Sequence, residues 1–146
     1  MSDLHLTASD KGVTAVSLGS RPVLHHEERN ALNERRGHRE LAEYLIGKRR
    51  TFTVTVDLDG TPFQRTVWSA LQSVPYGSTM TYGQLAKKIG RPRAVRAVAS
   101  AVAKNPVGIV IPCHRIVPAS GSQPGKYAWG TKKKEWLLEH EKRSAV

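Results

Sequence analysis

From Thr61 to Lys134 the chain carries no aspartate or glutamate, yet twelve lysines and arginines fall there, among them Lys87, Lys88, Arg91, Arg93 and Arg96. Residues 1–60 are balanced, with nine basic and nine acidic side chains, so the whole formal charge of +11 belongs to residues 61–146. The chain therefore reads as two regions, a small domain over 1–60 and a basic domain over 61–146. A length of 146 residues allows one ordinary domain with a small appendage and excludes two large ones. A basic stretch this one-sided points to a polyanion, most simply nucleic acid, because each phosphate contact releases counterions. A solvated basic face kept for solubility is the alternative.

Other classes are excluded by what the chain lacks. No run approaches the roughly 18 apolar residues of a membrane-spanning helix. The start, Met1 to His5, has no basic segment followed by an apolar one, so export is not expected. A single cysteine, Cys113, forbids an intramolecular disulfide and fits a reducing, intracellular, cytoplasmic setting. His5, His25, His26 and His38 have no cysteine partners, so no metal is expected, and no cofactor is implied.

The first region alternates apolar residues over Leu4–Thr7 and Val13–Leu18 around a Gly12-containing turn, which predicts a β-hairpin. A polar stretch from Arg21 to Asn33 follows, then a helix over Glu34–Ile46 with Gly47 as its stop. Alternation over Thr51–Val56 predicts a strand. Together these make a small α/β part.

The second region opens with Thr61-Pro62, an N-cap followed by proline at the first helical position, and continues with Phe63, Val67, Trp68 and Leu71 on one stripe to about Val74. Thr81 to Gln84 has capping-box spacing and predicts a short helix through Ile89, with Gly90 beyond its end. A further helix is predicted from Arg91-Pro92 to about Ala103, so helix, turn and helix follow in succession. In that last helix Val95, Val98 and Val102 are expected to face the core. Ala94, Ala97 and Ala101 form a stripe of small residues beside Arg93 and Arg96, suited to close approach to a groove, with helix packing as the alternative. Gly108–Ile111 reads as a buried strand leading to Pro112-Cys113-His114-Arg115, Ser120–Gly130 as loop, and Lys132–Lys142 as a helix whose Trp136, Leu137, His140 and Glu141 point inward.

A lone cysteine is by default a small buried apolar residue. Here His114 and Arg115 adjoin it, and neighbouring cations or proton acceptors favour the nucleophilic thiolate. Side chains of adjacent strand residues diverge, so Cys113 and His114 would need a turn after Pro112 or a bridging water to cooperate. A histidine base also needs an orienting acceptor, and Glu135, Glu139 and Glu141 are the acids of the basic region.

Phe63-Gln64 with Val67-Trp68, Pro75-Tyr76-Gly77, Tyr82 to Ala86, Gly90 to Val98, Asn105-Pro106, Ile111 to Val117, and Leu137-Leu138 with Glu141 resemble, in order from Thr61 to Lys142, the methylated-DNA–protein-cysteine methyltransferases that repair alkylated guanine. The resemblance implies an α+β protein with a helix-turn-helix of winged-helix type that binds duplex DNA through the minor groove as a monomer. It implies irreversible transfer of an alkyl group from O6 of a flipped guanine, and from O4 of thymine, to Cys113. His114 would take the thiol proton through a water and Glu141 would orient it. Tyr82 would protonate the base, Arg96 would fill the vacated stack, and Asn105 would hold the turn before the active-site segment. Ala94, Ala97, Ala101, Arg93, Thr81, Gln84 and Arg115 would contact DNA. Ile116, Tyr127, Ala128 and Trp129 would line the guanine pocket, where the bulk of Trp129 is expected to disfavour benzyl adducts. Residues 1–60 carry no recognisable motif of the family. Alkyltransferase-like proteins, which recognise the lesion without chemistry, have tryptophan at the cysteine position, so Cys113 argues for an enzyme. A transcription factor reading the major groove would leave Cys113 and His114 unexplained.

Overall fold

The computed structural model describes residues 4–18, 29–119, 125 and 127–144. Most of the Arg21–Asn33 stretch, His25 and His26, and much of the Ser120–Gly130 segment lie outside them. The fold is α+β, and the chain divides into two units: Met1–Asp59 with Pro106–Val110, and Gly60–Asn105 with Ile111–Val146. The boundary near residue 60 is thus accompanied by a return of the chain to the first unit at Pro106–Val110.

In the first unit β1 (Leu4–Ser9) and β2 (Gly12–Leu18) form the expected antiparallel hairpin, in register from Leu4 opposite Leu18 to Ser9 opposite Gly12, with an irregularity at Thr7/Ala8. Helix α1 (Ala31–Leu45) starts earlier than its apolar pattern suggests because Asn30 caps it, accepting from the Asn33 amide. Gly47, at φ 81°, follows the last turn, where a left-handed backbone favours glycine. A Cβ at Gly37 would sit 2.6 Å from the Leu6 side chain, so this glycine lets the helix press onto the hairpin.

Two predicted strands are not formed. In Thr51–Val56 only Val56 bridges to β2, parallel to Val13. The amides of Thr53 and Val54 and the Thr53 hydroxyl instead donate to the buried Glu40 carboxylate, which replaces a strand neighbour. Gly108–Ile111 is not a strand either. The Val16 amide bonds the Pro106 carbonyl, Val16 bridges Val107, and the chain then turns at Ile109, whose φ of 70° is rare for a β-branched residue.

The second unit is mainly helical. Helix α2 (Pro62–Leu71) begins with a reciprocal cap between Thr61 and Gln64 and buries Val67, Trp68 and Leu71. Two-residue strands β3 (Met80–Thr81) and β4 (Ile116–Val117) pair in parallel, and α3 (Tyr82–Lys88) grows directly out of β3. Helix α4 (Val95–Ala103) starts four residues later than predicted. The Ala94 amide closes a turn onto Arg91, so Pro92 sits in that turn rather than at the helix start. Val98 and Val102 are buried as expected, but Val95, on the first turn of α4, is 38% exposed. The indole of Trp68 donates to the Ala101 carbonyl at 2.8 Å and ties α2 to α4. Helix α5 (Thr131–Ser144) buries Lys134, Leu137, His140 and Glu141, whereas Trp136 is partly exposed and stacks on His140 rather than entering the core.

Candidate active site

Pro112 has φ −82° and ψ 63°, the values of an inverse γ-turn, and the Cys113 amide accordingly donates to the Ile111 carbonyl at 2.8 Å. The next three residues, Cys113–Arg115, form one 3-10 turn before β4. A turn after Pro112, one of the two arrangements the sequence left open, is therefore present. A 3-10 turn spreads successive side chains about 120° apart. One side chain can therefore face a cavity while the next two reach α5.

Those two converge on Glu141. His114 Nε2 lies 2.6 Å from one carboxylate oxygen, and Arg115 spans both oxygens through Nε at 2.8 Å and a terminal nitrogen at 2.9 Å. The other Arg115 nitrogen donates to the Val74 carbonyl at 2.7 Å, and the Gly77 amide donates to Glu141 at 3.3 Å. Gly77 has φ 78°, a backbone that glycine adopts readily, and it closes the Pro75-Tyr76-Gly77 motif over the carboxylate. Burial alone would raise the Glu141 pKa, but hydrogen bonds and charge from His114 and Arg115 outweigh it and hold the carboxylate ionised, well below its ordinary range.

An ionised carboxylate only accepts, so His114 Nε2 carries the hydrogen and Nδ1 is the basic nitrogen. Nδ1 is buried and has no hydrogen-bond partner among the described residues. Burial, opposed by Glu141, depresses the His114 pKa, so the ring is neutral at pH 7. The arrangement is a base whose tautomer is fixed from behind.

Cys113 faces a cavity of about 470 Å³ lined by Tyr82, Ala99, Val102, Ala103, Asn105, Pro118, Gly125, Tyr127 and Ala128. The residue is 6% exposed, and burial raises the thiol pKa while Asn105, the positive charge of Lys134 and Tyr127 act the other way. Asn105 also donates to the Ile111 carbonyl at 2.9 Å, fixing the end of α4 to the segment that carries Cys113. The Tyr127 hydroxyl is buried with no hydrogen-bond partner among the described residues, and burial, with Cys113 second, raises its pKa well above the ordinary value. Burial, and secondarily Cys113, raise the Tyr82 pKa and keep that phenol protonated.

The structure thus gathers Cys113, Tyr82, Asn105, Tyr127 and Ala128 at one cavity, with His114 next to Cys113 in sequence and paired with Glu141. Ile116 is fully buried outside the lining, and Trp129 packs edge-on to Tyr127 at 5.7 Å between ring centres, also outside it. Thr81 and Gln84 cap α3 reciprocally, at 3.1 and 2.9 Å. Arg93, Arg96 and Ala97 are exposed and Ala94 is half-buried, but Ala101 is 3% exposed and Arg115 6%, so neither of these two offers a surface to DNA. Ala101 lies on the core side with Val98, and Arg115 is consumed by Glu141. Reading Arg115 by its charge alone missed this pairing. Lys134 was missed as well, hidden in a run of three lysines, although its spacing of three and seven from Leu137 and Glu141 places it on their inward face.

The second unit thus joins two successive helices, α3 and α4, to a buried cysteine that faces a mostly apolar cavity, with a neutral histidine held on a fixed carboxylate next to it in sequence. The sequence profile described as 6-O-methylguanine DNA methyltransferase, DNA binding domain, matches residues 62–143, and the chain belongs to that family. The methylated-DNA–protein-cysteine methyltransferase of Salmonella typhimurium is 50% identical over 103 residues, which cover 70% of this chain and 60% of that protein. The enzyme of the same name from Methanosarcina acetivorans is 47% identical over 107 residues, covering 73% and 68%. A crystal structure of Mycobacterium tuberculosis OGT in complex with DNA superposes with a TM-score of 0.88 at 37% identity, over 97% of this chain and 87% of that one. The chain spans about 60% of the length of the Salmonella relatives it matches. No helix among the described residues is long and apolar enough to cross a membrane.

Proposed function

We propose that the protein repairs DNA by direct reversal, moving a methyl or other alkyl group from O6 of guanine, and from O4 of thymine, irreversibly to Cys113. The observation that carries this reading is the joining of Cys113, its cavity and the His114–Glu141 pair on the unit that also exposes Arg93 and Arg96. Helix α4 serves both tasks, with Ala99, Val102 and Ala103 on the cavity and Arg96 and Ala97 on the surface.

The partner is duplex DNA, engaged in the minor groove by a helix-turn-helix of winged-helix type. The damaged base leaves the stack for the cavity, at a cost of a few kcal/mol that phosphate contacts and an inserted Arg96 offset. The S–C bond forms as the O6–C bond breaks. The thiol proton passes to His114 Nδ1 through a water, Tyr82 donates its proton to the base, and the proton held by His114 restores the phenol, so the thiol hydrogen ends on the repaired guanine. A thioether does not reverse, and each molecule reacts once. The protein acts as a monomer, in the cytoplasm, where a free thiol survives.

The test is the intact mass after incubation with duplex DNA carrying one O6-methylguanine, with Cys113→Ser as control. One methylene gained at Cys113, saturating at one equivalent and absent in the control, is expected. Tight lesion binding with no mass change would make the protein a recognition factor without chemistry.

A further inference from the structure

Lys132, Lys133 and Lys134 open α5, and they differ in where they end: Lys132 is exposed, Lys133 half-buried, and Lys134 has no exposed surface. Lys134 Nζ donates to the Ile116 carbonyl at 2.5 Å and lies 5.9 Å from the centre of the Tyr82 ring. A Cβ built on Gly125, which lines the cavity, would come within 3.5 Å of Nζ, so bare backbone separates the ammonium from the cavity wall. Sequestering an ammonium costs free energy that a carbonyl and a ring face offset only in part. The expense has a use where negative charge forms nearby.

We propose that Lys134 is a positioning residue for the transfer, its sealed ammonium lying against Tyr82 and the wall of the cavity that Cys113 lines, so that charge developing on the sulfur and on the phenol forms opposite a fixed cation. The inference rests on the transfer reading above. Among the described residues, the other groups around the sulfur do not supply this charge. Tyr82 on α3 and Tyr127 are neutral phenols, Asn105 after α4 is an amide, and the Arg115 guanidinium is bound to Glu141. His114 is held neutral. Burial lowers the Lys134 pKa to about 8, still above neutral pH, and the charge of Cys113 acts to raise it.

The test compares Lys134→Gln, which retains a donor for the Ile116 carbonyl and drops the charge, with Lys134→Arg, which keeps the charge, and Lys134→Met, an apolar filler for a site where removing a buried ion is often tolerated. Each is checked for folding by its melting curve. The rate of Cys113 alkylation by iodoacetamide is then followed from acid to alkaline pH, and methyl transfer from O6-methylguanine duplex is timed separately. Loss of the cation is expected to move the thiol midpoint up by about one unit in both Lys134→Gln and Lys134→Met, slowing alkylation at neutral pH about tenfold, with Lys134→Arg close to wild type. Methyl transfer is expected to slow at least as much, with lesion affinity unchanged. A folded Lys134→Gln or Lys134→Met with the wild-type profile would reduce Lys134 to packing and overturn the inference while wild-type transfer stands. Failure of the wild-type protein itself to gain a methyl group would overturn the transfer reading and, with it, any role for Lys134 in transfer.

Discussion

Glu40 in the first unit and Glu141 in the second are built alike. Each is 1% exposed, each accepts from backbone amides, each has an arginine nearby, and each is held below its ordinary pKa despite burial. Their remaining partners differ. Glu40 binds Thr53 and Val54, so its charge fixes the path of a segment that would otherwise want a strand neighbour. Glu141 binds the ring of His114, whose other nitrogen is left as the basic one, buried and without a hydrogen-bond partner among the described residues. On the proposed transfer, the same device serves shape in one unit and chemistry in the other. Burial and a shifted pKa do not separate the two cases, but the identity of the third partner does.

The comparison is sharpened most by removing the arginine. Arg115→Met leaves Glu141 buried without its bidentate partner, and a loss of about 3–5 kcal/mol in unfolding free energy is expected from denaturant titration. Affinity of the folded variant for undamaged DNA is expected to match wild type, because Arg115 is sealed from solvent. A marked loss of DNA affinity at unchanged stability would restore Arg115 to the interface.

A smaller effect is expected from acid. The folded pKa values of His114 and Glu141 both lie below their ordinary 6.5 and 4.5, so below those values the unfolded chain binds more protons than the folded one. Stability is therefore present in full above about pH 6.5 and declines as pH falls through it, more steeply below about 4.5. Methyl transfer is expected to hold across neutrality and to fail on the acid side of pH 6.5, when Nδ1 is protonated. A rate already halved at pH 7 would contradict a depressed His114.

Much of this was legible in the sequence, for reasons that particular residues make plain. Caps and breakers are local, so the hairpin at Gly12, the N-cap at Thr61, the capping box at Thr81 and the stop at Gly90 could be read directly. The pairing of His114 with Glu141 was also anticipated, through acids confined to the last helix and the family resemblance. What was not legible depended on partners distant in the chain. Thr51–Val56 alternates like a strand, but a carboxylate on α1 captured its amides. Gly108–Ile111 is apolar like a strand, but it turns at Ile109. Arg115 and Lys134 sat among basic residues that do face solvent, and only the tertiary structure shows that Glu141 and Ile116 take them inward.

The most direct measurement is the single-turnover rate at which a methyl group from O6-methylguanine duplex appears on the Cys113 peptide, taken in parallel for wild type, Glu141→Gln and Glu40→Gln at a temperature where all three are folded. Glu141→Gln is expected to lose about a hundredfold or more, the scale of a mispositioned general base. Glu40→Gln is expected to lose about 1–3 kcal/mol of stability and to transfer within about twofold of wild type. Equal rates in the two variants would contradict the assignment of Glu141 to the chemistry.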